Sequence, residues 1–303
     1  MTGLSPNGAL DQKELHNTAE ERLQKTEACL EMAADSFSLD DIHDFRVEIK
    51  KLKAFLRLLQ RNSDKPEKLK FPGFLNKIYK SLGSVRELQL QEKKLEKAVS
   101  GENILLLNTF SDLHEQYDLV REKTKALFDY KDSWRKADTR IKKFIPEELT
   151  EDDVESYLRF KVRELKKILS LKRPSITQLH EMRKILKDLQ YNHTYWKDAR
   201  LAEGQTLPSV DEIKDIGSQI GDLHDIYAST IILKSSIKNR SIDEDERKRL
   251  IEVRLSWNRD RDTLRKTIDG VLNKFRAYPA LSLGLPVKKT VPAPAESLLT
   301  PSE

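Results

Sequence analysis

His43-Asp44-Phe45-Arg46-Val47-Glu48-Ile49-Lys50 recurs 137 residues on as His180-Glu181-Met182-Arg183-Lys184-Ile185-Leu186-Lys187. Each copy reads His-x-x-Arg-x-x-x-Lys, and each sits in an apolar pattern of helical period. A second echo trails the first. Leu75, Ile78, Leu82-Gly83, Val85 and Leu88 correspond, 138 residues on, to Ile213, Ile216, Ile220-Gly221, Leu223 and Ile226, with the carboxylates Glu87 and Asp225 in the same register. Self-similarity at a fixed spacing marks an internal duplication. The chain therefore reads as two similar halves with a basic site shared between them.

The chemistry lies on the helix that carries the first motif of each half. At about 100° per residue, His43, Arg46, Lys50, Lys53 and Arg57 fall within an arc of about 80°. Ile42, Phe45, Ile49, Leu52, Leu56 and Leu59 cover the adjoining face, so the cations form a stripe beside the core seam. His180, Arg183 and Lys187 repeat the stripe in the second half, with Tyr191 next in line. Gln190 and Thr194 stand where the first half has Lys53 and Arg57, which leaves the halves unequally basic. A row of this kind suits an extended, multiply charged anion. Arg presents a planar fork to phosphate oxygens, Lys a mobile point charge, and His a donor whose charge grows as pH falls toward about 6.5. A solvated face is the ordinary reading of a Lys/Arg run, and the duplicated spacing argues against it here. The histidines have a structural alternative, orienting neighbouring helices through hydrogen bonds.

With Leu82-Gly83-x-x-Arg86-Glu87 and Ile220-Gly221-x-x-His224-Asp225 beside the paired His-x-x-Arg-x-x-x-Lys motifs, the chain resembles the CHAD domains, helical proteins named for their histidines and built as two similar halves. The resemblance covers residues 10 to 277. It implies binding of inorganic polyphosphate, on a basic surface or channel between the halves, with polyphosphate granules as a further partner. The matching positions are His43, Arg46, Lys50, Lys53, Arg86, His180, Arg183 and Lys187, and Arg57 extends the first stripe. Where the family's first half often reads Arg-Asp-x-Asp, this chain has Arg86-Glu87-Leu88-Gln89. Arg86 also has a competing role as ion-pair partner of Glu87 or another acid.

Composition bounds the remaining classes. A length of 303 residues suffices for a sizeable core, and 38% hydrophobic with 35% charged residues describes a globular chain. The longest apolar cluster, Ile104 to Leu107, is far short of the roughly 20 residues of a spanning helix. The N-terminus lacks a signal-peptide layout, and the single Cys29 excludes an internal disulfide. A cytoplasmic protein without membrane contact is the expectation. The net charge of +5 is modest, so an anion site must come from local segregation. It occurs between His43 and Arg61, where Arg46, Lys50, Lys51, Lys53, Arg57 and Arg61 face only Asp44 and Glu48.

Helical period covers nearly the whole chain. Helices are expected over 11–34, 40–61, 67–98 with a bend at Pro72-Gly73, and 103–143 ending before Pro146. The pattern restarts over 151–171, 175–202, 209–238 and 243–276, and strand-like alternation is missing. The expected fold is all-α. Two four-helix bundle halves, 11–145 and 146–277, are related by a pseudo-twofold axis. A disordered N-terminus, 1–10, and a disordered Pro/Ala/Ser-rich tail, 278–303, flank them.

Catalysis finds little support. Glu244-Asp245-Glu246-Arg247-Lys248 matches by letter the Glu-x-Glu-x-Lys of the triphosphate-hydrolysing tunnel domains that often accompany CHAD domains. That motif needs a strand; on a helix Glu244 and Glu246 point about 200° apart. A helical metal-dependent phosphohydrolase acting on a phosphorylated substrate would use pairs such as His43-Asp44 or His224-Asp225. Across the duplication Asp44 becomes Glu181 and His224 becomes Arg86, so neither pair is repeated. Cys29 has no nucleophilic constellation and no glycine-rich phosphate loop exists. No catalytic residue, metal or cofactor is assigned. Nucleic acid is a weaker partner, because the stripe carries only Tyr191 as a stacking platform while Phe45 and Phe55 read as core. A scaffold for protein partners, with the cations as solubilising charge, is the remaining alternative.

Overall fold

The computed structural model describes residues 10–60, 70–100, 106–197, 206–239 and 242–282. Arg61, residues 67–69, 103–105 and 198–202 of the expected helices, the first nine residues and the tail from 283 lie outside them.

The described residues are almost wholly helical. Helix α1 (Gln12–Ser36) starts on a capping box between Asp11 and Glu14, and α2 (Leu39–Leu59) starts on Ser38, whose hydroxyl accepts from Asp41 N. The turn between them requires Phe37 in the left-handed region, φ 50°. Gln89 Nε2 donates to the Phe37 carbonyl, and Arg121 lies over its ring. Helix α3 (Gly73–Val99) starts at Pro72-Gly73 where a bend within a longer helix was expected: residues 70–72 lie outside it, because a proline disfavours helical backbone in the residue before it. The long fourth helix expected over 103–143 is two helices, α4 (Leu107–Lys125) and α5 (Lys131–Phe144). Tertiary packing overrides the helical period there: the break turns Phe128 onto Phe37 and Tyr130 onto Trp134.

The second half begins with α6 (Glu151–Leu169), capped by Thr150 and Asp153. Helix α7 (Ile176–Tyr191) stops short of residue 202 because Asn192 leaves the helix. It is fully buried, and its Nδ2 donates to the Ala54 carbonyl and the Tyr157 hydroxyl. The one-turn α8 (His193–Trp196), then α9 (Val210–Lys238) and α10 (Glu244–Ala277), complete the chain. No described helix is long and apolar enough to cross a membrane.

Both expected disordered ends need correction at their inner edges. Leu10 is buried and pairs with Leu149 in a two-residue antiparallel ladder, β1 (Leu10–Asp11) with β2 (Glu148–Leu149). Ala280 and Leu281 are buried as well, on a turn held by Leu281 N to Tyr278 O. In each case an apolar side chain completes the core, which outweighs the polar composition beyond it.

Helix α2 packs on α1, α3 and α7, and α9 packs on α7 and α10. The main core runs through both halves, from Ile49 and Phe55 to Leu179 and Met182, and a smaller cluster joins Leu95, Leu113, Leu233 and Leu250. Among the polar links that cross between the halves, two centre on buried carboxylates. Arg57 of α2 holds the Asp188 carboxylate of α7 through Nε and Nη2, and Lys161 of α6 donates to the same carboxylate at 2.6 Å. Glu246, 2% exposed, accepts from Thr109 N and Asn108 Nδ2, so a side chain of α10 caps the otherwise uncapped α4. That is the structural role of the Glu-x-Glu-x-Lys look-alike.

Side-chain exposures of 7% for Lys161 and 6% for Asp188 put this ion pair out of reach of water. Removing the acid strands a buried ammonium, a loss of about 3–5 kcal/mol. Asp188→Ala is therefore expected to lower the urea midpoint sharply while Glu21→Ala, in an exposed pair with Lys25, leaves it within error. Equal midpoints for the two variants would refute the assignment.

Candidate functional site

The two copies of the motif come to rest on the pair of helices, α2 and α7, that cross between the halves. Each leans on a long partner, α2 on α3 and α7 on α9. The contact is made in the same way both times. Arg46 lies across Gly83, where any Cβ would collide with the guanidinium, and Nη1 donates to the Tyr79 carbonyl at 2.7 Å. Arg183 lies across Gly221 in the same manner and Nε donates to the Gly217 carbonyl at 3.2 Å. Tyr79 and Gly217 stand 138 residues apart, as do Gly83 and Gly221. Glycine is required at both because only a missing side chain lets the guanidinium reach the backbone.

Between the two contacts opens a cavity of about 300 Å³. Of the nine sequence-derived positions, His43, Arg46, Lys50, Arg86, His180 and Arg183 line it. The other three are turned to protein partners. Lys53 donates to Asn76 Oδ1 and sits over the Phe71 and Tyr79 rings. Arg57 holds Asp188, and Lys187 donates to Gln190 Oε1. Arg86 does not pair with Glu87; Nη1 donates to the Leu39 carbonyl at 2.5 Å.

Arg46, Arg86 and Arg183 are oriented by neutral carbonyls, which cancel none of their charge. Among the described residues no carboxylate forms an ion pair with Arg46, Lys50, Arg86 or Arg183, and Lys50 has no hydrogen-bond partner at all. Burial, and then the charges of Arg183 and Arg46, lower the Lys50 pKa from its ordinary 10.5 to about 8. The histidines feel the same field. Burial and then Arg86 depress His43, and burial and then His224 depress His180. Neither ring makes a hydrogen bond among the described residues, which removes the helix-orienting reading. His180 stacks on His224 with centroids 4.7 Å apart, and its Nδ1 is buried without a partner.

Tyr79, Lys94 and Ser229 also line the cavity, and the duplicated motifs do not include them. Helical spacing alone could have found them: Tyr79, Gly83, Arg86, Leu90 and Lys94 follow one face of α3, and Gly221, His224, Asp225 and Ser229 one face of α9. The carboxylates Glu87 and Asp225 lie at the same opening. Among the described residues no three His, Cys, Asp or Glu converge as a metal-holding group.

The CHAD domain family model matches residues 17–234. This chain belongs to the CHAD domain family. The crystal structure of the CHAD domain from the plant Ricinus communis superposes with a TM-score of 0.67 over 91% of this chain and 96% of that one, at 12% identity. At that identity the likeness shows the shared helical fold. No curated protein matches the chain. In CHAD terms, the paired His-x-x-Arg-x-x-x-Lys helices of this chain are the walls of one cavity.

The depressed values have a definite sign. A fold that disfavours the protonated form of a base is stable above the group's ordinary pKa and loses that contribution as pH falls through the folded value. His43 and His180 are expected to titrate below 6.5 in ligand-free protein, and Lys50 near 8, as followed by NMR of the imidazole and ε-methylene protons. Midpoints at the ordinary 6.5 and 10.5 would contradict the burial and charge environment described.

Proposed function

We propose that the protein binds inorganic polyphosphate in the cavity between α2 and α7, without hydrolysing it. One observation carries the reading: Lys50 is half-buried where α2 meets α7, beside Arg46, Arg86 and Arg183, with no ion-pair partner among the described residues. A buried charge without a partner is costly, here on the order of 3 kcal/mol for a lysine held near pKa 8. An anion in the cavity returns that cost, and a chain of phosphates does so for several cations at once. Some members of the CHAD family bind polyphosphate, and the domain is generally a binding module. The unneutralised guanidinium forks suit phosphate oxygens. Lys53, Arg57 and Lys187 are engaged by Asn76, Asp188 and Gln190, so the reading rests on the six residues that line the cavity. The fold repeats its arginine-on-glycine contact in both halves, which supports the duplication and a ligand spanning both. Granule association in a cytoplasmic setting would be the cellular counterpart.

If about six phosphates are neutralised, log affinity should fall against log salt with a slope near −4, taking about 0.7 per contact from single strands. Titration calorimetry with long-chain polyphosphate measures this, and a flat salt response would remove the electrostatic account. DNA or RNA of equal charge should bind more weakly; tighter binding of either would favour the nucleic-acid reading. Polyphosphate incubated with magnesium or manganese should remain intact, and phosphate release abolished by Asp225→Ala would favour the phosphohydrolase.

Binding should also draw protons. Lys50, near pKa 8 when free, returns to full charge against an anion, so at pH 8 calorimetry in two buffers of different ionisation heat should show net proton uptake. Lys50→Gln, at a side chain with no protein partner, should leave folding intact and weaken binding about tenfold, the equivalent of one charge-assisted contact. Arg183→Gln should harm long chains more than tripolyphosphate, because only a long chain bridges both halves. Unchanged long-chain affinity in a folded Arg183→Gln would confine the site to the first half.

A further inference from the structure

A second cavity, of about 570 Å³, adjoins the first, and Lys94 and Ser229 line both. Lys94 stands at the junction, its Nζ donating to the Asp225 carbonyl at 3.1 Å and to Ser229 Oγ at 3.0 Å. The new cavity is walled by α3, α9 and α10, and its chemistry is different. Trp257 lies in the wall, half-buried against the smaller apolar cluster. Its indole makes no ring contact, cation contact or hydrogen bond among the described residues. Lys97 and Arg259 line the same space, and neither forms an ion pair among the described residues. Asp260 adds an acceptor, while Glu252 is held by Arg249 Nη1 at 2.8 Å.

A linear phosphate chain has no use for an indole face. A ligand with an aromatic amine-bearing ring at one end and phosphates at the other uses the indole, the carboxylate and the cations together. We propose that the second cavity takes the base of a nucleoside polyphosphate, stacked on Trp257, with the phosphates passing Lys94 into the first cavity. The volume lies within the roughly 300–1,000 Å³ of small-molecule sites. The exocyclic amine of an adenine or guanine can donate to Asp260, while Lys97 and Arg259 meet the phosphates nearest the sugar. For its outer phosphates this assignment rests on the polyanion reading of the first cavity.

The test uses the full chain with ATP, tripolyphosphate and adenosine. Of the three tryptophans, Trp134 and Trp196 are only 6% and 8% exposed, so a bound base reports through Trp257. ATP should quench the fluorescence and bind about tenfold tighter than tripolyphosphate, the low end of what stacking one base contributes. Tripolyphosphate should compete without quenching, and adenosine should bind far more weakly than ATP. Trp257→Leu keeps an apolar side chain against the cluster, and should bring ATP down to the affinity of tripolyphosphate without altering the latter. ATP that binds wild-type protein no tighter than tripolyphosphate and leaves the fluorescence unchanged overturns the proposal, whatever the variant does. If long-chain polyphosphate still binds in that sample, only the nucleotide assignment falls; if it does not, the polyanion reading falls with it.

Discussion

The crossing of α2 on α7 sets like charges side by side in the interior, and everything else in the molecule accommodates that. Asp188 resolves one end of the crossing. It gathers Arg57 from one half and Lys161 from the other onto a single buried carboxylate, while Asn192 ties α7 to the backbone of α2 at Ala54. At the other end Lys50 is left among arginines with nothing to neutralise it. Burial of unpaired charge of this kind disfavours folding, and the continuous core through both halves offsets it. The cavity is thus lined by charges that folding did not pair.

Orientation and neutralisation are separated in this cavity. A carboxylate beside Arg46 or Arg183 would fix the guanidinium and cancel its charge. The carbonyls of Tyr79 and Gly217 fix it and cancel nothing. That arrangement needs the backbone of α3 and α9 within reach, which explains the glycines at 83 and 221. Where the stripe does meet neutralising or competing groups, at Arg57, Lys53 and Lys187, the side chains turn away from the cavity. The histidines gain a different property from the same field. Desolvation and nearby cations lower both pKa values, so each ring takes up its proton at a lower pH than a free imidazole.

The neighbouring cavity shows how one long helix can serve two surfaces. Gly83, Arg86 and Lys94 of α3 pass from the centre of the first cavity to its junction with the second. The lining loses its histidines and gains the Trp257 indole beyond Lys94, where the last turns of α3 face α10.

The repeated His-x-x-Arg-x-x-x-Lys and Leu/Ile-Gly motifs carried enough information to place an all-helical chain and six of the cavity's residues, because a 3.6-residue period and a duplicated spacing are local properties. Side-chain caps at Ser38, Thr150, Ser175 and Ser209 hold helix starts close to where the period placed them. The break at residues 126–130 and the end of α7 at Asn192 were invisible, since both are imposed by partners far along the chain: Phe37 for Phe128, Ala54 and Tyr157 for Asn192. The fate of individual cations was equally beyond the sequence. Arg46 and Arg57 lie on one arc of one helix, and only the tertiary structure sends the first to a carbonyl beside an open cavity and the second to a buried carboxylate. A period fixes which side chains share a face; which of them keeps its charge depends on what the opposing helix presents, and that is decided by packing.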